Sequence, residues 1–196
     1  MGAWIHMVPV ADATGPLKQA YDKVKTPHGT VDNVMRVHSL RPHTMEGHVA
    51  LYRSVLHHRD NKLPLWFLEC VAVATSLVNR CDYSFAHHWT NARNLMADDA
   101  RAADVLQALR DGRPERAFAG KELALIEYAR KLTSDPGGIT RAAVDACRAE
   151  GADDGEILEV NQVCAYFNYS NRVLNGLGVD TEGDTVGYYT EQKTRG

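Results

Sequence analysis

The chain has no C-x-x-C pair, no long run of one charge, no apolar stretch of membrane length and almost no strand-like alternation, and each absence removes a class of function. Its four cysteines (Cys70, Cys81, Cys147 and Cys164) are too few and too dispersed in 196 residues to form the disulfide framework of a small secreted domain. They are expected to be mainly reduced. A formal net charge of -3 with both signs interspersed argues against nucleic acid or an anionic membrane as partner. No run approaches the ~20 apolar residues of a transmembrane helix. Met1 to Val10 is interrupted by Gly2, His6 and Pro9, where a signal sequence would be continuous. A cytoplasmic protein is the expectation.

Site motifs are missing too. Gly176-Leu177-Gly178 follows a helical pattern instead of opening a βα unit, so nucleotide binding has no support. His57-His58 and His87-His88 are adjacent pairs, which point to different faces of a helix and cannot form an i,i+4 zinc clamp. No metal and no cofactor are expected. His6, His28, His38, His43 and His48 read as surface or ordinary hydrogen-bonded residues.

What is present is helix. With 44% hydrophobic and 24% charged residues, the chain can build one core of ordinary size. Helices are predicted over Leu17 to Lys25, Val31 to Leu40, Pro42 to His57, Pro64 to Asn79, Tyr83 to Met96, Ala100 to Arg110, Lys121 to Thr133, Thr140 to Glu150 and Asp153 to Leu174. The fold class is all-α. Residues 1–179 read as a single domain. Residues 180–196 read as a polar tail, either exposed or laid as an arm on a neighbouring subunit. The apolar faces of the later helices serve core or subunit contact, consistent with a homo-oligomer.

Chemistry concentrates in one hairpin. Pro64 to Asn79 carries Leu65, Leu68, Val73 and Leu77 at helical intervals and reads as a mostly buried helix. Asn79-Arg80 breaks the pattern, and Phe85, Trp89, Ala92 and Leu95 resume it, so Cys81 falls at or near a helix N-terminus. Free N–H groups there favour a thiolate, while Asp82 opposes it. Cys81 to Ser84 is i,i+3 and Ser84 to His88 is i,i+4, which sets the three on one stripe. At ~1.5 Å rise per residue, Cys81 and His88 lie roughly 10 Å apart along the axis, so Ser84 or a water must bridge them. If the hairpin folds back near Arg80, Glu69 comes level with His88 to Asn91 and can orient the imidazole. Cys70, Cys147 and Cys164 lie inside helical patterns and read as inert.

These residues resemble a known pattern. Glu, eleven residues, Cys-x-x-Cys, three residues, His marks the alkylhydroperoxidase-D-like (AhpD-like) proteins, which belong with the carboxymuconolactone decarboxylase superfamily. Here it stands as Glu69, Cys81-x-x-Ser84, His88. The leader Pro9 to Lys25, His38-Ser39-Leu40-Arg41-Pro42 and the run Tyr166-Phe167-Asn168-Tyr169-Ser170-Asn171-Arg172 are similar to the peroxidase-related branch. The likeness spans roughly residues 9–180. It implies an AhpD-like helical fold built around the hairpin, with Glu69, Cys81, Ser84 and His88 at the catalytic positions. Tyr83 and His87 are possible substrate contacts.

One departure shapes the functional expectation. The family's redox chemistry uses two cysteines, and serine at position 84 cannot resolve a sulfenic acid. The resemblance implies a thiol-dependent peroxidase in which Cys81 is oxidised by peroxide and reduced by a low-molecular-weight thiol or a redox protein. Loss of the second cysteine points instead to a cofactor-free lyase or isomerase, with Glu69 and His88 moving protons on a small carbonyl or lactone substrate. A non-enzymatic homo-oligomeric binding or stress protein with a decayed site is the further alternative. A Ser84-His88-Glu69 hydrolase triad lacks the nucleophile elbow and oxyanion loop it would need.

Overall fold

The computed structural model describes residues 2–188, and among them there is no β-strand. The helices are α1 (Gly15–Val24), α2 (Asn33–Arg36), α3 (Pro42–Leu56), α4 (Leu65–Val78), α5 (Asp82–Met96), α6 (Asp99–Arg110), α7 (Gly120–Ser134), α8 (Arg141–Ala149) and α9 (Asp154–Leu177). The all-α fold expected from the sequence is the fold observed. Predicted and observed ends differ by a few residues except at Val31 to Leu40. There the helix lasts one turn and gives way to tight turns, with His38 N–H donating to the Met35 carbonyl and Ser39 N–H to that of Arg36. Pro42 is the cause. It starts α3 at the first helical position and disfavours helical backbone at Arg41, which sits at φ -145 and ψ 71.

Helix α4 is the axis of the molecule. Phe67 to Ser76 are buried in an unbroken run, and α5, α6, α7 and α9 all pack against it. A helix that is apolar all round belongs inside. Its fully buried Phe67, Leu68, Val71 and Val73 meet Leu125 and Ile126 of α7 and Val160, Val163 and Phe167 of α9 in one continuous core. Asp153 starts α9 with a capping box: its carboxylate accepts from Glu156 N–H, and the Glu156 carboxylate accepts from Asp153 N–H.

The turn between α4 and α5 sets the register of the hairpin. Cys81 N–H donates to the Ser76 carbonyl (2.9 Å) and Arg80 N–H to that of Leu77 (3.2 Å), the crossed pair of bonds that closes a helix when the next residue is left-handed. Arg80 is that residue, at φ 53. Cys81 then serves at once as the last closing residue of α4 and the N-cap of α5. Helix α9 closes in the same way around Gly178 (φ 59), with Val179 N–H donating to the Leu174 carbonyl at 2.9 Å.

That second closure turns the C-terminal segment back over the bundle. An exposed or partner-bound tail was the expectation from polarity; residues 180–188 are exposed to half-buried and are held on the chain's own N-terminal region by hydrogen bonds. Asp180 N–H donates to the Gly2 carbonyl, and the Asn33 side-chain amide donates to the carbonyls of Asp180 and Glu182. The Asp184 carboxylate accepts from Asn33 N–H (3.0 Å) and from the Tyr83 hydroxyl (2.5 Å). Backbone groups of Asp180 and Glu182 and the side chains of Asp184 and Tyr188 dock this segment. The rest of the predicted tail, residues 189–196, lies outside the described residues.

Gly178→Ala should destabilise the chain by about 1–2 kcal/mol, since an L side chain is strained at this backbone angle. A Cβ there would also meet the Trp4 ring at 2.1 Å. The urea midpoint measures the loss, and an unchanged midpoint would mean that the closure does not depend on glycine.

Candidate active site

A carboxyl group with no exposed surface sits in the middle of α4. Glu69 is 0% exposed and surrounded by apolar neighbours, a position that demands partners for both oxygens. Helix α5 supplies them. His88 Nδ1 lies 2.5 Å from Glu69 Oε2, and the Asn91 side-chain amide donates to Glu69 Oε1 at 3.3 Å. With Nδ1 committed to the carboxylate, Nε2 is the nitrogen left for substrate. The Phe167 ring meets the imidazole edge to face at 4.5 Å and holds its plane.

His88 opens on a cavity of about 400 Å³ enclosed by α3, α5, α9, the segment between α1 and α2, and the C-terminal segment. Ser84 and His87 share the α5 wall with it. Tyr83 lines the cavity while its hydroxyl, bound to Asp184, also accepts from Val34 N–H (3.1 Å). Its ring stacks on His87 at 4.7 Å. Burial pushes the His87 imidazole down to about 4, with His88 adding to the effect, so the ring is neutral near pH 7.

Cys81 is placed differently. It is buried among Ala3, Val37, Tyr83, Leu174 and Val179 and does not line the cavity that Ser84 and His88 face. No hydrogen bond joins its sulfur to Glu69 or His88. Burial pushes the thiol up to about 11, and Asp82 adds to this, while the backbone N–H groups of Ser84 and Tyr83 pull only partly the other way. The expectation of a favoured thiolate at this helix start is therefore corrected: desolvation outweighs the helix terminus. The other cysteines are also buried, and each thiol is likewise pushed up by burial.

The opposite wall carries groups that sequence spacing could not find. His48 of α3, expected to be an ordinary surface or hydrogen-bonded residue, lines the cavity with its Nε2 at 2.9 Å from the Tyr166 hydroxyl. Burial pushes its imidazole down to about 3, with His38 adding to the effect, and burial pushes the Tyr166 phenol well up. Both stay neutral near pH 7. Tyr52 packs 6.3 Å from the His88 ring and holds His57 Nε2 at 2.8 Å through its hydroxyl. Asp32 and Tyr188 complete the wall at the C-terminal segment. Tyr166 had a cue only in the run that resembles the peroxidase-related branch, and His48 had none. Among the described residues no three His, Cys, Asp or Glu side chains converge as a metal site. None of the described helices is long and apolar enough to cross a membrane.

Comparison with known proteins agrees with this architecture. Residues 42–112, which run from α3 through α6 and contain the hairpin, match the carboxymuconolactone decarboxylase family. No curated protein matches the chain in sequence. Among solved structures, the chain is similar to a peroxidase-related protein with an alkylhydroperoxidase AhpD core from Ralstonia eutropha JMP134. The TM-score is 0.80 at 21% identity, over 92% of this chain and 93% of that one. It is similar to a peroxidase-related protein from Silicibacter sp. TM1040 (TM-score 0.78, 21% identity, 93% of this chain and 95% of that one). It also resembles the debrominase Bmp8 in complex with 2,3,4-tribromopyrrole (TM-score 0.69, 14% identity, 90% of each chain). At these identities the structural likenesses establish the fold.

A desolvated Cys81 has a measurable signature. Near neutral pH a small thiol reagent should modify it roughly 100-fold or more slowly than a free cysteine, because the thiolate fraction falls with each unit of raised pKa. The rate should climb as pH approaches about 11. Peptide mass mapping measures it, and rapid labelling at neutral pH would contradict this placement of the sulfur.

Proposed function

We propose that this chain, a member of the AhpD-like and carboxymuconolactone decarboxylase superfamily, is a cofactor-free proton-transfer enzyme, a lyase or isomerase acting on a small carbonyl or lactone substrate. The observation that carries this reading is the Glu69–His88 pair at 2.5 Å on the wall of a cavity that the buried Cys81 thiol does not line. Glu69 fixes the tautomer with the proton on Nδ1 and stabilises the imidazolium that forms when Nε2 takes a proton from carbon next to the carbonyl. The carbon–hydrogen bonding pair moves into the carbonyl as an enolate. Where the substrate carries a carbon–carbon double bond next to that carbon, the enolate is a dienolate, and return of the proton from Nε2 to its far carbon shifts the double bond and completes an isomerisation, with nothing consumed.

The developing oxyanion needs a donor. In the tautomer that carries its proton on Nε2, His48 donates to the Tyr166 oxygen, and the phenol O–H, which shares a hydrogen bond with the Ser170 hydroxyl, can turn to a substrate oxygen. Ser84, one helical turn before His88 on the same wall, offers a second hydroxyl. In this reading the enzyme works in the cytoplasm as a homo-oligomer, with exposed Leu51, Leu158 and Tyr169 available for subunit contact.

A second reading has support in the likeness to peroxidase-related proteins. In it Cys81 is oxidised by peroxide and an external thiol or redox protein returns it to the reduced state. The two readings assign opposite roles to the same residues.

A screen of small lactones and β-keto acids should therefore find turnover that falls by about 10²–10⁴ in Glu69→Gln and His88→Ala, the usual size of a general-base contribution. Cys81→Ala should keep it within about threefold of the parent, since no reacting atom depends on the sulfur. Thiol-coupled peroxide consumption abolished by Cys81→Ala, with lactone turnover absent, would replace the first reading by the second.

A further inference from the structure

The far end of the cavity holds a carboxyl group without a counter-ion. Asp32 is 4% exposed and lines the cavity, and its Oδ1 has no hydrogen-bond partner. Its other oxygen accepts from the Tyr188 hydroxyl at 3.3 Å. A buried carboxylate in this state is costly, and proteins normally place a cation or several donors against it.

The nearby cations are engaged elsewhere. Lys25 is held by Asp22 at 2.8 Å and Arg53 donates to the Lys23 carbonyl, while Arg36 donates to the Asn33 side-chain oxygen, keeps a buried Nε without a hydrogen bond and directs its charge to Asp184 and not to Asp32. The remaining groups facing this end are Asp184, which adds negative charge, the Tyr83 hydroxyl and the neutral His87 ring. Aromatic rings from three segments, Tyr52, Tyr166 and Tyr188, line the same space. Ring faces and an unpaired carboxylate are the two features that recognise an organic cation.

We propose that the cavity binds a small protonated amine, its ammonium group on Asp32 and its carbon frame among Tyr52, Tyr166 and Tyr188. The missing partner of Asp32 is then the ligand itself. This deepens the reading of the cavity as a substrate site and rests on it: the carbonyl compound on which His88 acts carries a basic nitrogen as well. Its recognition is separable from proton transfer, because Asp32 takes no part in the chemistry.

The titration of Asp32 gives an independent handle. Burial first, and Asp184 second, push its carboxyl up to about 6, with the Tyr188 hydroxyl opposing them. An ammonium ligand prefers the ionised form, so its affinity should be about tenfold weaker near pH 5 than near pH 8.

Calorimetric titration of the full chain with benzylamine, benzyl alcohol and benzoate tests the proposal. Benzylamine should bind in preference to the other two near pH 8, weaken about tenfold near pH 5, and bind His88→Ala as well as the parent. Asp32→Asn should weaken it tenfold or more while leaving benzyl alcohol unchanged. The ranking of probes and the pH dependence are read on the parent chain, so they stand even where the variant fails to fold. Benzoate binding more tightly than benzylamine, undetectable benzylamine binding, or equal affinity for Asp32→Asn would each overturn the proposal. Binding retained in His88→Ala alongside absent lactone turnover would sink the proton-transfer reading and leave the cation site standing.

Discussion

The demand that a buried carboxylate makes on its surroundings organises this molecule. Glu69 lies in the helix that every larger element packs against, where an unpaired charge would be untenable. Removing one partner from such a buried pair costs about 3–5 kcal/mol, comparable with the whole stability of a small domain. The chain meets the demand locally, through His88 and Asn91 on the next helix. Those contacts fix how α5 lies along α4, and that fixes which residues of α5 face the cavity. Folding and the shape of the cavity thus share one requirement, since the pair that neutralises the core also places His88 on the cavity wall.

The same packing decides the fate of the thiol. A helix N-terminus stabilises a negative charge by typically 0.3–1 kcal/mol at exposed sites, and up to ~2 kcal/mol when partly buried. Full desolvation of an ionisable group opposes it with several times that energy. Cys81 receives both influences, and its position between the N-terminal segment, Val37 and the end of α9 lets burial win. Ser84, one turn further on, faces the cavity instead. The hydroxyl, and not the thiol, therefore shares the cavity with His88.

How much of this could be read in advance depended on sequence separation. Glu69, Ser84 and His88 lie on two adjacent helices joined by a short turn, so helical period and a single reversal were enough to bring them together. The left-handed Arg80 left no glycine to mark that reversal, yet the break in apolar pattern at Asn79-Arg80 located it. The burial of Cys81 was not legible, because it arises from contacts with residues as distant as Ala3 and Val179. His48 and Tyr166 are 118 positions apart and meet only because α3 crosses α9. The docking of Asp184 was hidden for a different reason. Polarity normally marks an exposed segment, but here the polar groups bond the backbone of Asn33 and the hydroxyl of Tyr83.

The cavity's ionisable groups also oppose one another across the pH scale. His48 and His87 are pushed down to about 3 and about 4, so the folded state prefers them neutral. The stability they contribute is present above their ordinary range near ~6.5 and is lost as pH falls through those lower values. Asp32, pushed up to about 6, has the reverse sign. Its contribution is present below the ordinary carboxylate range and is lost as pH rises through about 6. Near neutral pH the imidazoles are therefore content while the carboxylate is not. The unfavourable charge lies at the end of the cavity where the C-terminal segment docks, with Asp184 close to Asp32. A cation placed there relieves it without disturbing the neutral wall around His48 and Tyr166. Asp32 and His88 stand on different elements of the cavity wall, so the charge preference at one can be changed without altering the hydrogen bond that holds the other.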